Sequence, residues 1–429
     1  MQTFQRMARI GAGVMMLVLW VMAAQVQAQA QAPEEGALPL DELRTFTEAY
    51  ERIRQEYVES IDEATLIRNA IRGMLEGLDP HSGYLDADAY QRLREGTRGE
   101  FGGVGMEVGM EDGFLRVIAP IDDTPADAAG IQPEDLIIRI DGVSVKGLGL
   151  QESLDRLRGE PGTEVTLTIL RGDDDRPFER VLTRAIIEGR SVRSETLEPG
   201  YGYVRISQFQ QRTGMAVLDA VEQLIRDNDG ELKGLVLDLR NNPGGLLEAA
   251  VEVADAFISS GVLVSTDGRV ERARDQFNAT PNDVMEGAPL VVLVNAGSAS
   301  ASEIVAGALQ DHRRAVVMGA PTFGKGSVQS IMPLRNATAI KLTTARYFTP
   351  NGRSIQAEGI VPDVVVDDLR VSERQAVSGQ PREADLPRHL RSNGTDQPAP
   401  RAPSSPLATR DYVLAEALNL LKGLNIFSQ

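Results

Sequence analysis

Apolar and polar positions follow three successive patterns along this chain, and each predicts a different kind of structure. Between positions 41 and 97, apolar residues such as Leu43, Phe46 and Tyr50 recur at three- and four-residue steps, which indicates amphipathic helices. Short strand-like runs follow up to about residue 184. Beyond residue 200, apolar strands alternate with helical stretches, a pattern typical of a sheet covered by helices. The sequence therefore predicts a multidomain α/β protein.

The same changes of pattern give the domain boundaries. A length of 429 residues fits two or three domains. The predicted segments are a signal peptide (1–30), an N-terminal helical region (31–98), a β-rich module (99–185), a β/α domain (186–369), a disordered linker rich in Pro and Ser (370–410) and a C-terminal helix (411–429). Residues 66–98 are a candidate to pack on the β/α domain.

Individual elements follow from the periodicity within each segment. Strands of the β-rich module are predicted over 114–117, 136–140 and 165–170, with a helix over 150–158. In the β/α domain, the predicted strands are 203–206, 234–239, 290–294, 315–318 and 338–343, and the predicted helices are 213–226, 246–259 and 301–310. A final helix is predicted over 412–424.

The N-terminus has the layout of a secretory signal peptide. Arg6 and Arg9 precede an apolar run over 10–24, and small residues follow, so that cleavage is predicted after Ala28 or Ala30. An uncleaved anchor helix is the alternative, although fifteen apolar residues are short for a bilayer span, which needs about 20. We therefore predict an exported, periplasmic protein, associated with the membrane if the segment is not cleaved.

Charge and composition exclude several function classes. A formal net charge of -18 repels nucleic acid, so no nucleic-acid partner is predicted. The absence of cysteine excludes disulfides and thiolate chemistry. The three histidines, His81, His312 and His389, have no metal-ligand spacing, and we predict neither a metal site nor a cofactor.

A serine-rich segment is the first candidate for chemistry. Ser298, Ser300 and Ser302 follow the apolar run 290–294 and precede a predicted helix. Free N–H groups and the dipole at a helix N-terminus favour developing negative charge, which suits a nucleophilic hydroxyl. Spacing does not choose among the three serines. A helix start that is merely capped by serine is the alternative interpretation.

The second candidate is Lys325, which lies between two glycines in a turn after a predicted strand. A serine nucleophile needs a base, and a lysine serves as one if desolvation lowers its pKa. Gln329 is placed to orient the amine. His312 lies about 18 Å along the helix from Ser300 and is too far for direct proton transfer. A solvated loop lysine is the alternative.

A glycine pair supplies the third candidate. Gly244 and Gly245 follow the predicted strand 234–239 and precede a helix. Glycines at such a turn let backbone N–H groups approach an oxyanion. The N–H groups of Gly245 and Ala301 are the predicted donors, and a Gly-Gly turn with Asn caps is the alternative.

Taken together, these motifs identify a family resemblance. The chain resembles the C-terminal processing peptidases, or tail-specific serine proteases, over about residues 66–366. The resemblance rests on residues 78–82 (LDPHS), 101–105 (FGGVG), 238–242 (DLRNN), 297–300 (GSAS), 324–326 (GKG) and 359–363 (GIVPD). It implies a Ser-Lys catalytic pair with a helping glutamine, which falls on Ser300, Lys325 and Gln329. It also implies a β/α catalytic core like the layered fold of ClpP and crotonase.

The resemblance further implies that the β-rich module is a PDZ domain. Such a domain binds an extended peptide as an added strand and holds its terminal carboxylate with backbone N–H groups. Here the binding loop would be formed by Gly103, Val104, Gly105 and Met106. The expected partners are protein or peptide substrates with apolar C-termini and a regulatory adaptor. Apolar stripes on the terminal helices predict a homodimer.

Two other functions are compatible with parts of the sequence. One is a secreted PDZ adaptor whose hydrolase-like domain is inert, for which the helical N-terminal region and the tail would serve as binding segments. The other is an acyl-transfer hydrolase on a crotonase-like core, a chemistry in which a PDZ domain has no role. The presence of Ser300, Lys325 and Gln329 together favours the protease.

Overall fold

In a computed structural model of the protein, residues 39–121, 123–172, 176–367, 369 and 406–428 are described. The predicted signal peptide and residues 370–405 of the predicted linker lie outside this part of the chain. The chain divides into two compact units, 1–74 and 75–429. Among the helices in the described ranges, none combines the length and the apolar character needed to cross a bilayer.

The first unit contains two amphipathic helices. They are α1 (Leu40–Glu56) and α2 (Glu63–Glu76), and the unit boundary falls inside α2. Helix α1 buries none of its residues, and its apolar side chains, including Leu43 and Phe46, are exposed. The periodicity in the sequence correctly indicates these helices.

The second unit begins with a turn and a short strand that belong to its β/α core. Strand β1 (Gly83–Leu85) pairs antiparallel with a long strand, β18 (Ala339–Phe348). Helix α3 (Ala87–Arg98) follows; its N-terminus is capped by the Asp86 carboxylate, which accepts a hydrogen bond from the Ala89 N–H at 2.9 Å. The predicted packing of part of 66–98 on the β/α domain thus takes the form of a strand.

The β-rich module has its own apolar core. Its main sheet has the order β3-β4-β5-β7-β8, with β6 paired to β5, and β2 pairs separately with β9. The elements are β2 (Glu100–Gly103), β3 (Met106–Glu111), β4 (Phe114–Pro120), α4 (Pro125–Ala128), β5 (Leu136–Ile140), β6 (Val143–Ser144), α5 (Leu150–Leu157), β7 (Glu164–Leu170), β8 (Phe178–Thr183) and β9 (Ala185–Glu188).

The β/α core is a six-stranded sheet of order β10-β11-β12-β15-β16-β19, parallel except for β10. Its strands are β10 (Val192–Glu198), β11 (Tyr201–Ile206), β12 (Gly234–Asp238), β15 (Leu290–Val294), β16 (Val316–Gly319) and β19 (Val364–Val365). Helices α6 (Thr213–Asp227), α7 (Leu247–Asp255) and α8 (Ala301–Asp311) pack with one face of the sheet through Leu235, Leu237 and their neighbours. The layered α/β prediction is confirmed.

A second sheet of five strands completes this core. It joins β1 and β18 to β13 (Val262–Gly268), β14 (Asp275–Asn278) and β17 (Ser327–Pro333), and a single turn of 3₁₀ helix (Glu271–Ala273) lies between β13 and β14. The apolar pattern did not predict β13, β14 or β17. These strands carry many polar residues. Strand β13 also pairs with β18, which lies far away in the sequence.

Two C-terminal helices cover the other face of the parallel sheet. They are α9 (Pro406–Arg410) and α10 (Tyr412–Ser428). Leu414, Leu418 and Leu421 are buried against the sheet with Val236 and Val291. Helix α9 falls within the segment predicted to be a disordered linker. The difference arises because Leu407 adds to this apolar cluster, a contact that composition does not indicate.

Candidate active site

The predicted nucleophile lies in a strained turn between β15 and α8. Ser300 precedes the first residue of α8 and has φ 55° and ψ -112°, a left-handed region that non-glycine residues rarely occupy. Such a conformation costs about 1–3 kcal/mol and persists only where surrounding contacts fix it. Ser300 is almost buried, at 6% exposure. Strain of this kind is concentrated at functional sites.

Hydrogen bonding distinguishes the three serines. The Ser298 hydroxyl donates to the Leu239 carbonyl at 2.7 Å, and the Ser302 hydroxyl donates to the Asn242 carbonyl at 2.9 Å. Both side chains are fully buried and serve to tie the nucleophile segment to the glycine turn. The Ser300 side chain instead interacts with the phenol of Tyr347. Among the residues that the structure describes, Ser300 is therefore the serine of the three whose hydroxyl donates to no backbone carbonyl.

A fully buried carboxylate, Glu303, joins the serine segment to the lysine loop. One oxygen, Oε2, accepts from the N–H groups of Ser300 at 2.7 Å and Lys325 at 2.9 Å. The other, Oε1, accepts from the Thr322 hydroxyl at 2.6 Å and the Gly324 N–H at 2.7 Å. Four donors satisfy the buried charge. The backbones of Ser300 and Lys325 are thus held on the same oxygen atom.

Lys325 has the electrostatic environment that a lysine base requires. Burial lowers the pKa of its amine, the positive charge of Lys341 lowers it further, and Glu303 acts in the opposite direction. In the described part of the chain, no hydrogen bond is made by the amine of Lys325. A lowered pKa increases the fraction of neutral amine that can accept a proton.

Gln329 lies on β17, four residues after Lys325. Its amide Nε2 donates to the Ser327 hydroxyl at 2.9 Å and lies 3.4 Å from the Thr343 hydroxyl. The Lys325 amine is not among its hydrogen-bond partners in the described ranges. The orienting role predicted for Gln329 therefore stays a prediction.

The 79–82 turn contributes to the site from the other end of the sequence. Asp79 accepts from the Thr343 hydroxyl at 3.0 Å, and the Ser82 hydroxyl accepts from the Thr343 N–H at 3.1 Å. Burial lowers the pKa of His81, and the charge of Lys325 is the next largest cause. The side chain of His81 thus lies within the electrostatic influence of Lys325. His312 instead bonds the Val262 carbonyl at 2.7 Å.

The glycine turn lies directly against the serine. Gly244 has φ 102°, and a Cβ there would lie 2.9 Å from the Ser300 Cβ and 3.0 Å from the Ala301 nitrogen. Gly245 has φ 148°, and a Cβ there would lie 2.0 Å from the Phe209 carbonyl oxygen. Neither the Gly245 N–H nor the Ala301 N–H has an acceptor among the described residues. Two unpaired donors beside a serine can bind an oxyanion.

The predicted peptide-binding loop is also preformed. Its four residues run from the end of β2 to the start of β3. The carbonyl of Val104 accepts from the Ala126 N–H, and the carbonyl of Gly105 accepts from the Ile121 N–H and the Thr124 hydroxyl. The N–H groups of Val104 and Gly105 have no acceptor within the described ranges. The two carbonyls are thus bonded within the module, whereas the two N–H groups are not.

Sequence reasoning missed two side chains at the site. Glu303 stands three residues after Ser300, the spacing of a capping box, and that signal could have found it. Tyr347 had no comparable signal. Burial raises the pKa of its phenol to about 12, while the contact with Ser300 acts in the opposite direction. The phenol is therefore protonated near neutral pH, beside the serine.

Comparison with known proteins matches separate parts of the chain to three family models. The model of peptidase family S41 matches residues 200–366, and a PDZ domain model matches residues 116–171. The N-terminal domain of the activating protease CtpB matches residues 9–89. The catalytic candidates all lie within the first of these matches.

Individual relatives match longer stretches of the chain. The chain is 44% identical over 401 residues to a carboxy-terminal-processing protease of Bartonella bacilliformis, an alignment that covers 93% of this chain and 92% of the relative. It is 38% identical to a probable CtpA-like serine protease of Staphylococcus aureus strain COL, covering 76% of this chain and 65% of that protein. Among solved structures, a photosystem II D1 C-terminal processing protease matches at 34% identity and a TM-score of 0.44, over 76% of this chain and 93% of that one.

Proposed function

Because this chain belongs to the carboxy-terminal-processing proteases of peptidase family S41, we propose that it is an exported enzyme that captures the C-terminal tails of proteins and cleaves them with Ser300 and Lys325. It is a serine-type endopeptidase with a PDZ domain. The proposed parts are the catalytic pair, the recognition of tails and the export. The observation that carries the catalytic pair is the Glu303 carboxylate, which holds the backbones of both residues on one oxygen.

The proposed reaction is acyl transfer through a serine ester. Neutral Lys325 takes the proton from the Ser300 hydroxyl as Oγ attacks the scissile carbonyl carbon. The carbonyl oxygen becomes an oxyanion, which accepts hydrogen bonds from the Gly245 and Ala301 N–H groups. The C–N bond then breaks, and Lys325 gives its proton to the leaving amine. Lys325 then takes a proton from water, whose oxygen bonds to the ester carbonyl carbon. The bond from that carbon to Ser300 Oγ breaks, Lys325 returns the proton to Oγ, and the acid is released.

The supporting groups have separate roles in this proposal. Burial and Lys341 keep the amine of Lys325 less basic than an exposed lysine. The protonated phenol of Tyr347 contacts Ser300 and is placed to orient its hydroxyl. Gln329 and Thr343 fix the start of β17, immediately after the lysine loop.

The pH dependence of the reaction tests the role of Lys341. Replacing Lys341 by methionine removes a positive charge that lowers the pKa of Lys325, so that pKa should rise. More of the Lys325 amine is then protonated at pH 7. We expect the acid limb of kcat/KM to move to higher pH, with lower activity at pH 7 and recovery in alkali. The profile of kcat/KM against pH measures this.

A control variant makes the pH experiment specific. Lys233 is an exposed lysine of the same β/α domain, so Lys233→Met removes an equal charge and should leave the acid limb of kcat/KM in place. The charged or titratable neighbours of Lys325 include His81 and Glu303, and both remain in the Lys341 variant. An unchanged or acid-shifted limb in Lys341→Met would contradict a neutral Lys325 as the base.

Tail recognition is assigned to the loop from Gly103 to Met106. Within the described ranges the N–H groups of Val104 and Gly105 have no acceptor, and a terminal carboxylate would supply one. We expect a peptide with an apolar C-terminus and a free carboxylate to bind the Ser300→Ala protein at least about tenfold more tightly than the same peptide with a C-terminal amide. Fluorescence anisotropy of labelled peptides measures both. Equal affinities would place the tail elsewhere.

Export and self-association are further parts of the proposal. Residues 1–30 have the pattern of a signal peptide, and cell fractionation tests this, since recovery in the cytoplasm would contradict it.

The exposed apolar side chains of α1, such as Phe46 and Ile53, support a homodimer. Light scattering that gives only the monomer mass would contradict the dimer. A regulatory adaptor is also proposed, with capture on the immobilised protein as its test.

A further inference from the structure

The C-terminal helix α10 is fixed to the core by a charged contact as well as by apolar packing. Asp411 caps the helix: its Oδ1 accepts from the Leu414 N–H at 2.9 Å. The same carboxylate accepts hydrogen bonds from both terminal nitrogens of Arg240, at 3.0 and 2.7 Å. A bidentate contact of this kind fixes both distance and orientation. The start of α10 therefore helps to fix the position of the Arg240 side chain.

Arg240 belongs to a partly buried ion-pair network at the end of β12. Its Nε and Nη2 donate to the carboxylate of Asp238, which is fully buried, at 3.0 and 2.7 Å. Asp238 also accepts from Tyr203 at 2.8 Å and Arg205 at 3.1 Å. Hydrogen bonds to Asp238 and Asp411 raise the pKa of Arg240 against the effect of its burial. The network carries two positive and two negative charges when Asp411 is docked.

Arg240 is also the first residue of the glycine turn. The next residue, Asn241, has φ 55° and donates its N–H to the Asn295 side chain at 2.9 Å. The carbonyl of Asn242 accepts from the Ala299 N–H at 3.0 Å and from the Ser302 hydroxyl. The turn, which ends at Gly244 and Gly245, is therefore hydrogen-bonded directly to the segment that carries Ser300. A displacement of Arg240 is transmitted to both.

A cavity of about 280 Å³ lies beside this contact, lined by residues that include Arg240, Asn241, Asn295 and Asp411. The space means that the Arg240 side chain is not fixed by packing on every side. Without its Asp411 partner, the guanidinium has room to change position. The ion pair therefore does more to set the geometry here than it would in a fully packed core.

From these contacts we infer that Asp411 is a positioning residue for the proposed oxyanion turn, and that it acts through Arg240. Docking of the C-terminal helix thus completes the active site from the opposite face of the sheet. The inference rests on the proposed function, because it assigns Gly245 and Ala301 to the oxyanion. It concerns the rate of acylation and leaves the Lys325 base and the tail-binding loop unaffected.

The test compares Asp411→Asn with Lys422→Met in the full-length protein. Lys422 lies on the same helix and pairs with Glu198 at 2.8 Å. Lys422→Met therefore also removes an ion pair of α10, but one that does not involve Arg240. For Asp411→Asn we expect kcat to fall about tenfold, because small misplacements of catalytic groups have effects of this size. KM and the acid limb of kcat/KM should stay as in the wild type, and Lys422→Met should retain the wild-type kcat.

Rescue separates positioning from stability. Asp411→Glu keeps the charge and should recover kcat to within about threefold of the wild type, and the Tm of each variant shows whether it is folded. An unchanged kcat in Asp411→Asn would overturn the inference. Losses of activity that follow Tm equally in Asp411→Asn and Lys422→Met would overturn it too. If the wild type is inactive, or Ser300→Ala is as active as the wild type, the proposed function has failed instead.

Discussion

Replacement of Ser300 by alanine, or of Lys325 by methionine, is expected to reduce kcat at least about 10,000-fold. In nucleophile-base pairs, loss of either partner removes nearly the whole covalent pathway, and the residual rate comes from binding and the oxyanion donors. Lys325→Met keeps most of the stem of the side chain and removes only the amine. Cleavage of a peptide with an apolar C-terminus, followed under single-turnover conditions, measures the loss.

The control is a serine two residues away in the same segment. Ser302→Ala removes one buried hydrogen bond to Asn242, which should lower the free energy of unfolding by about 1 kcal/mol. We expect this variant to keep its activity within tenfold. Covalent labelling of the wild type at Ser300 by a serine-directed probe also excludes the inert adaptor. Cleavage by Ser300→Ala at the wild-type rate would mean that another residue is the nucleophile.

Replacement of Glu303 by glutamine should damage stability and catalysis together. The carboxylate accepts from four donors, two on each oxygen, whereas glutamine has one oxygen and presents an NH₂ group to the other two donors. Two buried donors are then left without an acceptor, which costs about 1–3 kcal/mol each. Because Ser300 and Lys325 lose their common anchor, kcat should fall about 100-fold. Denaturant unfolding and the rate of serine labelling measure the two effects.

Another buried carboxylate provides the matched control. Asp135 is fully buried in the PDZ domain and accepts from the Arg171 side chain at 2.7 and 2.8 Å. Asp135→Asn should lose comparable stability without changing the rate at which Ser300 is labelled. Labelling of Glu303→Gln at the wild-type rate, in folded protein, would show that Glu303 has no part in positioning the pair.

Local sequence was a good guide where one element carries its own signal. The strands at 136–140 and 290–294 begin and end as predicted. The run at 290–294 is continuously apolar, which is typical of a strand buried in a parallel sheet. The C-terminal helix likewise follows from its apolar spacing. The strands that went unpredicted, such as β13 and β17, contain polar positions at exposed or half-exposed sites. Their state depends on the strands that pair with them.

The candidate site shows the same division. Composition left a serine, a lysine and a glycine turn as the available chemistry, and the family resemblance chose Ser300 among three serines. The hydrogen bonds of Ser298 and Ser302 are consistent with that choice, since both hydroxyls bond backbone carbonyls. The role of Gln329 in orienting Lys325 stays a prediction. Its amide Nε2 donates to the Ser327 and Thr343 hydroxyls, two contacts that its position on the chain did not indicate.

The sequence by itself determined the chemical groups, the α/β class and the family of this protein, because those depend on residue type and short spacing. Only the tertiary structure decided how Ser300 and Lys325 are held. Glu303 joins segments that are more than twenty residues apart, and Asp79 reaches Thr343 across 264 positions. Asp411 meets Arg240 across 171. Contacts of such range depend on how layers pack, and no local pattern in the chain encodes them.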